Sequence, residues 1–444
     1  MSTSTGVIEQ ATTRALPQPL TSICAGLILV GVVAFGYGIV SDPQTAWLSF
    51  HANFLYYAAL SQAGLVLSCI FVIVGARWPG PVKRIAEGLG AWVPISLVLG
   101  CIGYFGGDYL FEWQTAGAAH GKEAWLNETR FYVTDIGILA VMAALSMAFL
   151  KASVRPTLKS LADSGTGFAR SMAQRWTAGW KGDEEERAAS LATTNKLAPI
   201  ICLLFALGYT FLIFDQVMSM EQTWFSNLFG AYVSWGGILT AVAACCVIAV
   251  LHRNAPGLEG QITEARLHDL GKMLFAFSIF WMYLFFAQYL VIYYGNLPEE
   301  TQYYYDRLGP QFLIDKGFTE YAWQRAWIDW DWKWERLGEA YGWMSMAAWL
   351  LNWIIPFWVL LGARPKKTPW ILGPVAGLLL VGFWFERNLL VWPSVVKEGH
   401  GGLAVLGPVQ LGIAAGFLGA FVLVYLVYTR VFPGLAAGPS AESH

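Results

Sequence analysis

Ten runs of about twenty apolar residues, bounded by charged landmarks, constrain this chain more than any other feature. The hydrocarbon core of a bilayer is about 30 Å thick, and about 20 helical residues cross it. The runs are about Thr21–Val40, His51–Gly75, Glu87–Gly106 and Phe131–Leu150, then Lys196 to Asp215, Trp224–Leu251 and Lys272–Tyr293. Ala340–Leu361, Pro369–Phe385 and Gly407–Tyr428 complete the set. Lipid offers no partner for backbone N–H and C=O groups, so only helices and closed barrels span it. Barrel strands alternate over about ten residues, and these runs are long and unbroken. The chain is therefore expected to be an all-α integral membrane protein with about ten transmembrane helices. Composition agrees: 56% of residues are hydrophobic and 13% charged, against roughly 25% charged in a soluble domain. A net charge of −2 gives no electrostatic case for nucleic acid.

The loops set the expected orientation. With the N-terminus inside, nineteen of the 28 Lys and Arg fall in inside segments, eight of them between Lys151 and Lys196. That bias follows the positive-inside rule and places both termini in the cytoplasm. Residues 1–20 then form a cytoplasmic N-terminal segment, 21–430 the membrane domain and 431–444 a cytoplasmic tail. Residues 1–20 are polar and lack the basic-then-apolar order of a cleaved signal. The inside loop 152–195 reads as a solvated connector with room for an amphipathic helix. The outside loop 294–337 is rich in Tyr and Trp, from Tyr303-Tyr304-Tyr305 to Trp334. It reads either as an interfacial helix or as a docking surface for an extracytoplasmic partner, since aromatics are enriched in both places.

A weak internal repeat is visible. Asn53-Phe54-Leu55 resembles Asn227-Leu228-Phe229, and Leu89-Gly90 leads to Asp108-Tyr109-Leu110 much as Leu270-Gly271 leads to Gln288-Tyr289-Leu290. Asp215 ends the fifth run and Glu386 the ninth. Runs 2–5 (about 50–218) and 6–9 (about 224–388) thus read as two parallel copies, each able to close as a four-helix bundle. Runs 1 and 10 flank them.

Ionisable groups at membrane depth are costly and tend to be functional. On the expected outer side they are His51, Asp135, Asp215, Glu221, Glu386 and Arg387. These are candidates for a quinone site or a proton path, although each also reads as a polar tie between helices. Glu386 and Arg387 are adjacent, so on one helix they point about 100° apart. Each is expected to find a different partner, with Arg387 to Asp215 one possible pairing. On the inner side Glu87, Lys196, His268, Asp269 and Lys272 read either as snorkelling anchors or as a cytoplasmic proton entry. The six Cys (24, 69, 101, 202, 245 and 246) lie in apolar runs without a CxxC spacing, and the six His are scattered. No metal site is expected. Carboxylates and a His near one face can accept protons from a quinol hydroxyl, but a chain without its own redox metal must pass electrons to a partner.

Ten helices, the two parallel four-helix repeats, and Trp384-Phe385-Glu386-Arg387 within Gly382–Pro393 resemble the NrfD/polysulfide-reductase membrane subunits. With Phe214–Glu221 they are most similar to the ActF-type subunit of alternative complex III, a quinol:cytochrome c oxidoreductase. The resemblance covers about residues 20–430. It implies a bacterial cytoplasmic membrane, a respiratory or photosynthetic electron-transport chain, and quinol oxidation at the outer side with possible proton translocation. It implies an ActC-like sister membrane subunit, a periplasmic iron–sulfur subunit and c-type cytochrome subunits, with haems and clusters on those partners. Quinone or quinol is the one ligand it implies near this chain. In the sister, quinol binding is attributed to a His and an Asp near the outer ends of the third and fourth helices. Asp135 matches that Asp, whereas Tyr104-Phe105-Gly106-Gly107-Asp108 contains no His. The competing readings are a secondary transporter and a purely structural membrane anchor of the same complex.

Overall fold

The computed structural model describes residues 18–255, 260–308, 341–396 and 404–431. Most of the N-terminal segment, residues 309–337 of the aromatic loop (with Trp323–Trp334) and nearly all of the C-terminal tail lie outside the described residues. Ten long helices organise the rest: α1 Gln18–Ser41, α2 Pro43–Ile73, α3 Pro81–Leu110, α4 Glu128–Val154, α5 Asp183–Gln216, α6 Phe229–His252, α7 Glu264–Gly295, α8 342–359, α9 Pro369–Val395 and α10 Pro408–Val431. Among the described residues there is no strand, and nine helices are long and apolar enough to cross a membrane. The chain is an all-α multi-pass membrane protein.

The tenth, α8, is broken. Leu350–Ile354 is π-helical between two α-helical pieces. Pro356 lacks an N–H, and its ring meets the carbonyl four residues back, at Asn352. The wider π turn absorbs that clash. In α3 the segment Gly90–Trp92, just ahead of Pro94, is 3₁₀. Helix starts are set by side-chain caps: Asp42 accepts from the Thr45 N–H, Asn127 from Arg130 and Thr263 from Arg266. Each satisfies an N–H the helix itself cannot.

Helices α2–α5 pack as a closed ring, each touching the next and α5 returning to α2; α6–α9 do the same. The rings meet where α6 crosses α2, α5 touches α6 and α9 touches α2. At that crossing a Cβ on Gly237 would sit 3.3 Å from Ala59. The chain after α2 (Gly80) meets the start of α7 (Arg266), so α2 and α6 run the same way. The two same-way bundles are present as the sequence suggested.

Helices α1 and α10 flank the bundles; they pack along each other and lie chiefly against α2 and α3. Their backbones touch: a Cβ on Gly31 would fall on Gly416 Cα, and one on Gly419 would press on Leu27. Lipid supplies no hydrophobic drive between helices, so close backbone approach through small residues is how such pairs hold.

Several boundaries also shift. His51 lies well inside α2, since Asp42 caps that helix at Pro43. Glu386 does not end α9, because Leu389-Leu390-Val391-Trp392 carry the helix on to Val395. The acidic run Asp183–Glu186 is the first turn of α5, where carboxylates oppose the positive helix end. Arg155 pairs with Glu186 through two contacts of 2.6 and 2.8 Å. The 152–195 connector holds two short helices, Lys159–Ser164 and Gly167–Trp176.

Gly416→Leu is expected to force α1 from α10 and to cost about 1–3 kcal/mol, the range for overpacking. Gly36→Ala, with open space beside it, serves as control. Thermal unfolding in mild detergent reads the difference, and equal melting of Gly416→Leu and wild type would remove the glycine contact as the source of stability.

Candidate functional site

Two polar centres sit toward the same end of the bundles, one per ring. The first joins α2, α4 and α5. Asp215, 0% exposed, is one residue from the end of α5 and accepts two hydrogen bonds from Arg130, Nη1 to Oδ2 at 2.5 Å and Nη2 to Oδ1 at 2.9 Å. Arg130 lies in the first turn of α4 because Asn127 caps that helix. Its guanidinium stacks 4.3 Å over the Trp125 ring and donates to the Trp125 carbonyl. The planar fork of Arg matches a carboxylate and an aromatic face at once. The next residue, Gln216, donates from Nε2 to Asp135 Oδ2 at 2.6 Å. Asp135 is 2% exposed, and its carboxyl group lies against that of Asp215. Two carboxylates in contact repel unless they share a proton. His51 donates from Nε2 to the Gln216 carbonyl at 2.7 Å. A carbonyl only accepts, so this bond holds the proton on Nε2.

The second centre belongs to α6 and α9. Glu386 Oε2 and Arg387 Nη1 are 2.6 Å apart, and both residues are buried. The expectation that these neighbours find different partners, with Arg387 reaching Asp215, is thus corrected. Cβ directions 100° apart do not keep a long guanidinium from folding back, and Arg130 already holds Asp215. Arg387 Nη2 donates to the Val233 carbonyl on α6 at 3.0 Å, and the Tyr232 hydroxyl faces Glu386. Above them Arg307, from the short helix Pro298–Leu308, stacks 3.3 Å over Tyr303, which stacks 3.8 Å over Trp224. Arg307 also donates to the Leu390 carbonyl and to Ser394 Oγ, both at 3.1 Å. Glu221, in the α5–α6 connection, is buried and acts electrostatically on Tyr303. Each bundle mouth is thus closed by an arginine stacked on an aromatic ring.

The inner candidates do not converge. Glu87 is fully buried in the first bundle, accepting from Ser68 at 3.1 Å, Ser153 at 2.6 Å and Arg84 at 2.6 Å. His268, Asp269 and Lys272 share α7, where Lys272 pairs with Asp269 at 2.7 Å. Lys196 is exposed on α5. Glu87 reads as a fully bonded tie, and the rest as helix-end charges. Among the described residues no three His, Cys, Asp or Glu side chains gather as a metal site.

A small cavity lies beside the first centre, between α2, α4, α5 and α6. Phe54, Ala58, Leu139, Tyr209, Gln216 and Ser234 line it, and its volume is about 20 Å³. Pockets that take drug-sized ligands measure roughly 300 Å³ or more, so this cavity is small by comparison.

Four participants escape sequence reading. Arg130 and Arg307 counted only as loop charges. Gln216 and Ser234 carry no charge at all. Only Arg130 left a signal, the Asn127-Glu128 helix start that puts it on α4 ahead of Asp135. No protein-family model and no curated protein matches the chain.

Removing Arg130 leaves Asp215 buried without a counter-charge. Breaking a buried pair costs about 3–5 kcal/mol; a quarter of the Arg130 side chain is exposed (24%), which puts Arg130→Gln at the low end. Asp215→Asn added to Arg130→Gln is expected to recover most of that loss. If thermal unfolding shows the double variant no more stable than Arg130→Gln alone, the ion pair is not what holds α4 to α5.

Proposed function

We propose that this chain is a membrane subunit of a quinol:cytochrome c oxidoreductase of the alternative complex III type, set in a bacterial cytoplasmic membrane with both termini inside. The observation that carries the reading is the Asp135–Asp215 centre. It is a buried carboxyl pair, tied by Arg130, Gln216 and His51, at one end of a ring of four helices. A carboxyl pair in an apolar setting can take up and release one proton. The sequence resemblance and the positive-inside bias put that end at the outer face, where quinol oxidation releases protons. Because the cavity adjoining this centre is small and the end of α3 lacks the His that the resemblance expects of a quinol site, quinol is assigned to the sister subunit or to a surface shared with it. This chain's residues hold and pass protons and keep the bundle closed. Electrons travel through haems and iron–sulfur clusters of the partner subunits.

Purification in mild detergent is expected to retrieve haem-containing partners with this chain. In the purified complex, Asp135→Asn and Asp215→Asn are each expected to slow quinol-dependent cytochrome c reduction by about 10²-fold or more, the lower bound for losing a proton-transfer group. Recovery of a haem-free chain without partners would count against the complex. Unchanged turnover in an intact complex would reduce the centre to a tie between helices and leave the chain an anchor.

A further inference from the structure

Asn352 sits inside the second bundle with its amide unused. It is 0% exposed, and neither Oδ1 nor Nδ2 has a hydrogen-bond partner among the described residues. Buried amides are nearly always bonded, so an idle one calls for a reason. Its backbone is unusual as well. Asn352 is the middle residue of the π segment Leu350–Ile354, and π turns within α-helices gather at functional sites. The amide lies against α9, where a Cβ on Gly382 would fall on Asn352 Oδ1. Residue 386 is one turn further along the same face of α9, about 6 Å from 382 between Cβ positions. Helical side chains lean back over the preceding turn, which brings Glu386 toward the Asn352 amide. The carboxyl group of Glu386 is half used. Oε2 accepts from Arg387 Nη1 at 2.6 Å, whereas Oε1 is buried without a hydrogen-bond partner among the described residues. The first ring offers the comparison: its third and fourth helices, α4 and α5, bring Asp135 and Asp215 together. The third and fourth helices of the second ring, α8 and α9, carry Asn352 and Glu386.

An amide suits a carboxyl group that changes protonation state. Its NH₂ donates to the carboxylate, and its oxygen accepts from the acid O–H. A second carboxylate would repel the ionised form, and an aliphatic side chain would serve neither. We infer that Asn352 and Glu386 form a second proton-binding site, in which Glu386 takes its proton on Oε1 and donates that O–H to Asn352 Oδ1. In the ionised form the amide turns over and Nδ2 donates to Oε1. One proton converts one carboxylate into one carboxylic acid, and Arg387 keeps its bonds to Glu386 Oε2 and the Val233 carbonyl in both. The other groups facing Glu386 are Tyr232 from α6 and Tyr303 from the helix Pro298–Leu308. From α7 the Trp281 ring meets Phe383, and Tyr56 of α2 faces Arg387. The inference deepens the proton-holding role proposed above and rests on that reading for its purpose. Its test needs neither quinol nor cytochrome.

The test uses the full chain in lipid nanodiscs and reads the carboxylic C=O band of Glu386 by infrared difference spectroscopy during a pH titration. Glu386→Gln assigns the band. Asn352→Leu is expected to move the band to higher wavenumber, because the acid loses its hydrogen bond. Gly382→Ala, whose methyl group displaces the amide, is expected to do the same with Asn352 retained, and it serves if Asn352→Leu does not fold. Asn352→Asp is expected to raise the midpoint of the last carboxyl ionisation at this site by about one pH unit or more, since neighbouring carboxylates resist ionising together. A band unmoved by both Asn352→Leu and Gly382→Ala would overturn the hydrogen bond, even if Asn352→Asp shifts the midpoint through space. An unchanged midpoint in Asn352→Asp would overturn the pairing of the two residues. No Glu386 carboxylic band at any pH at which the chain stays folded would overturn the proton site itself. Turnover of Asp135→Asn and Asp215→Asn in the complex bears on the first centre alone, so the two readings fail separately.

Discussion

Hydrocarbon gives a polar group nothing to bond, and the arrangement of this protein follows from that. Backbone groups are satisfied inside helices. Ionisable side chains have only the ring interiors in which to find partners. Asp215 shows the consequence most plainly. It is fully buried, and it is held by both terminal nitrogens of Arg130. Arg130 in turn rests on Trp125. Carboxylate, guanidinium and aromatic face together close the mouth of the first bundle, and Gln216, Asp135 and His51 assemble around them.

The second bundle meets the same constraint with different residues. Glu386 lies deeper in α9 than Asp215 does in α5, and its arginine is its own neighbour, Arg387. The mouth is closed instead by Arg307 on the Tyr303–Trp224 stack. Divergence of this kind is what two copies of one bundle permit: the helical ring is kept, and the charged partner is drawn from a different segment. Deeper in the same bundle, Asn352 is fully buried on the π segment of α8 against Gly382, and neither amide atom has a partner among the described residues. The polar interior of this bundle therefore extends beyond its ion pair, toward the middle of the membrane.

Much of the fold was legible from hydropathy because span length is set by the bilayer rather than by packing. The repeat was legible from short matches such as Leu89-Gly90 and Leu270-Gly271. These mark helix positions where close contacts recur, with Gly90 against Leu65 and Gly271 against Lys366. Helix ends were less legible. Apolarity marks where lipid begins, whereas capping by Asp42 or continuation through Leu389–Trp392 decides where the helix stops. Hence His51 and Glu386 lie further inside their helices than their charge alone suggested. The α1–α10 pair was invisible as a pair, because glycines in an apolar run do not name the glycine they will meet.

By itself the sequence determined the all-helical membrane class, the crossing of the bilayer and the set of charges out of place in it, since each depends on local composition alone. It could not decide which charges touch. Arg130 looked like a loop cation and Ser234 like any small residue on a membrane helix, while Arg387 was assigned a partner that Arg130 already holds. Those pairings depend on the rotation of each helix within its ring and on how the two rings meet at Ala59 and Gly237. Only tertiary packing sets these quantities, because a helix in lipid satisfies its own backbone at any rotation and leaves the choice to side-chain contacts between helices.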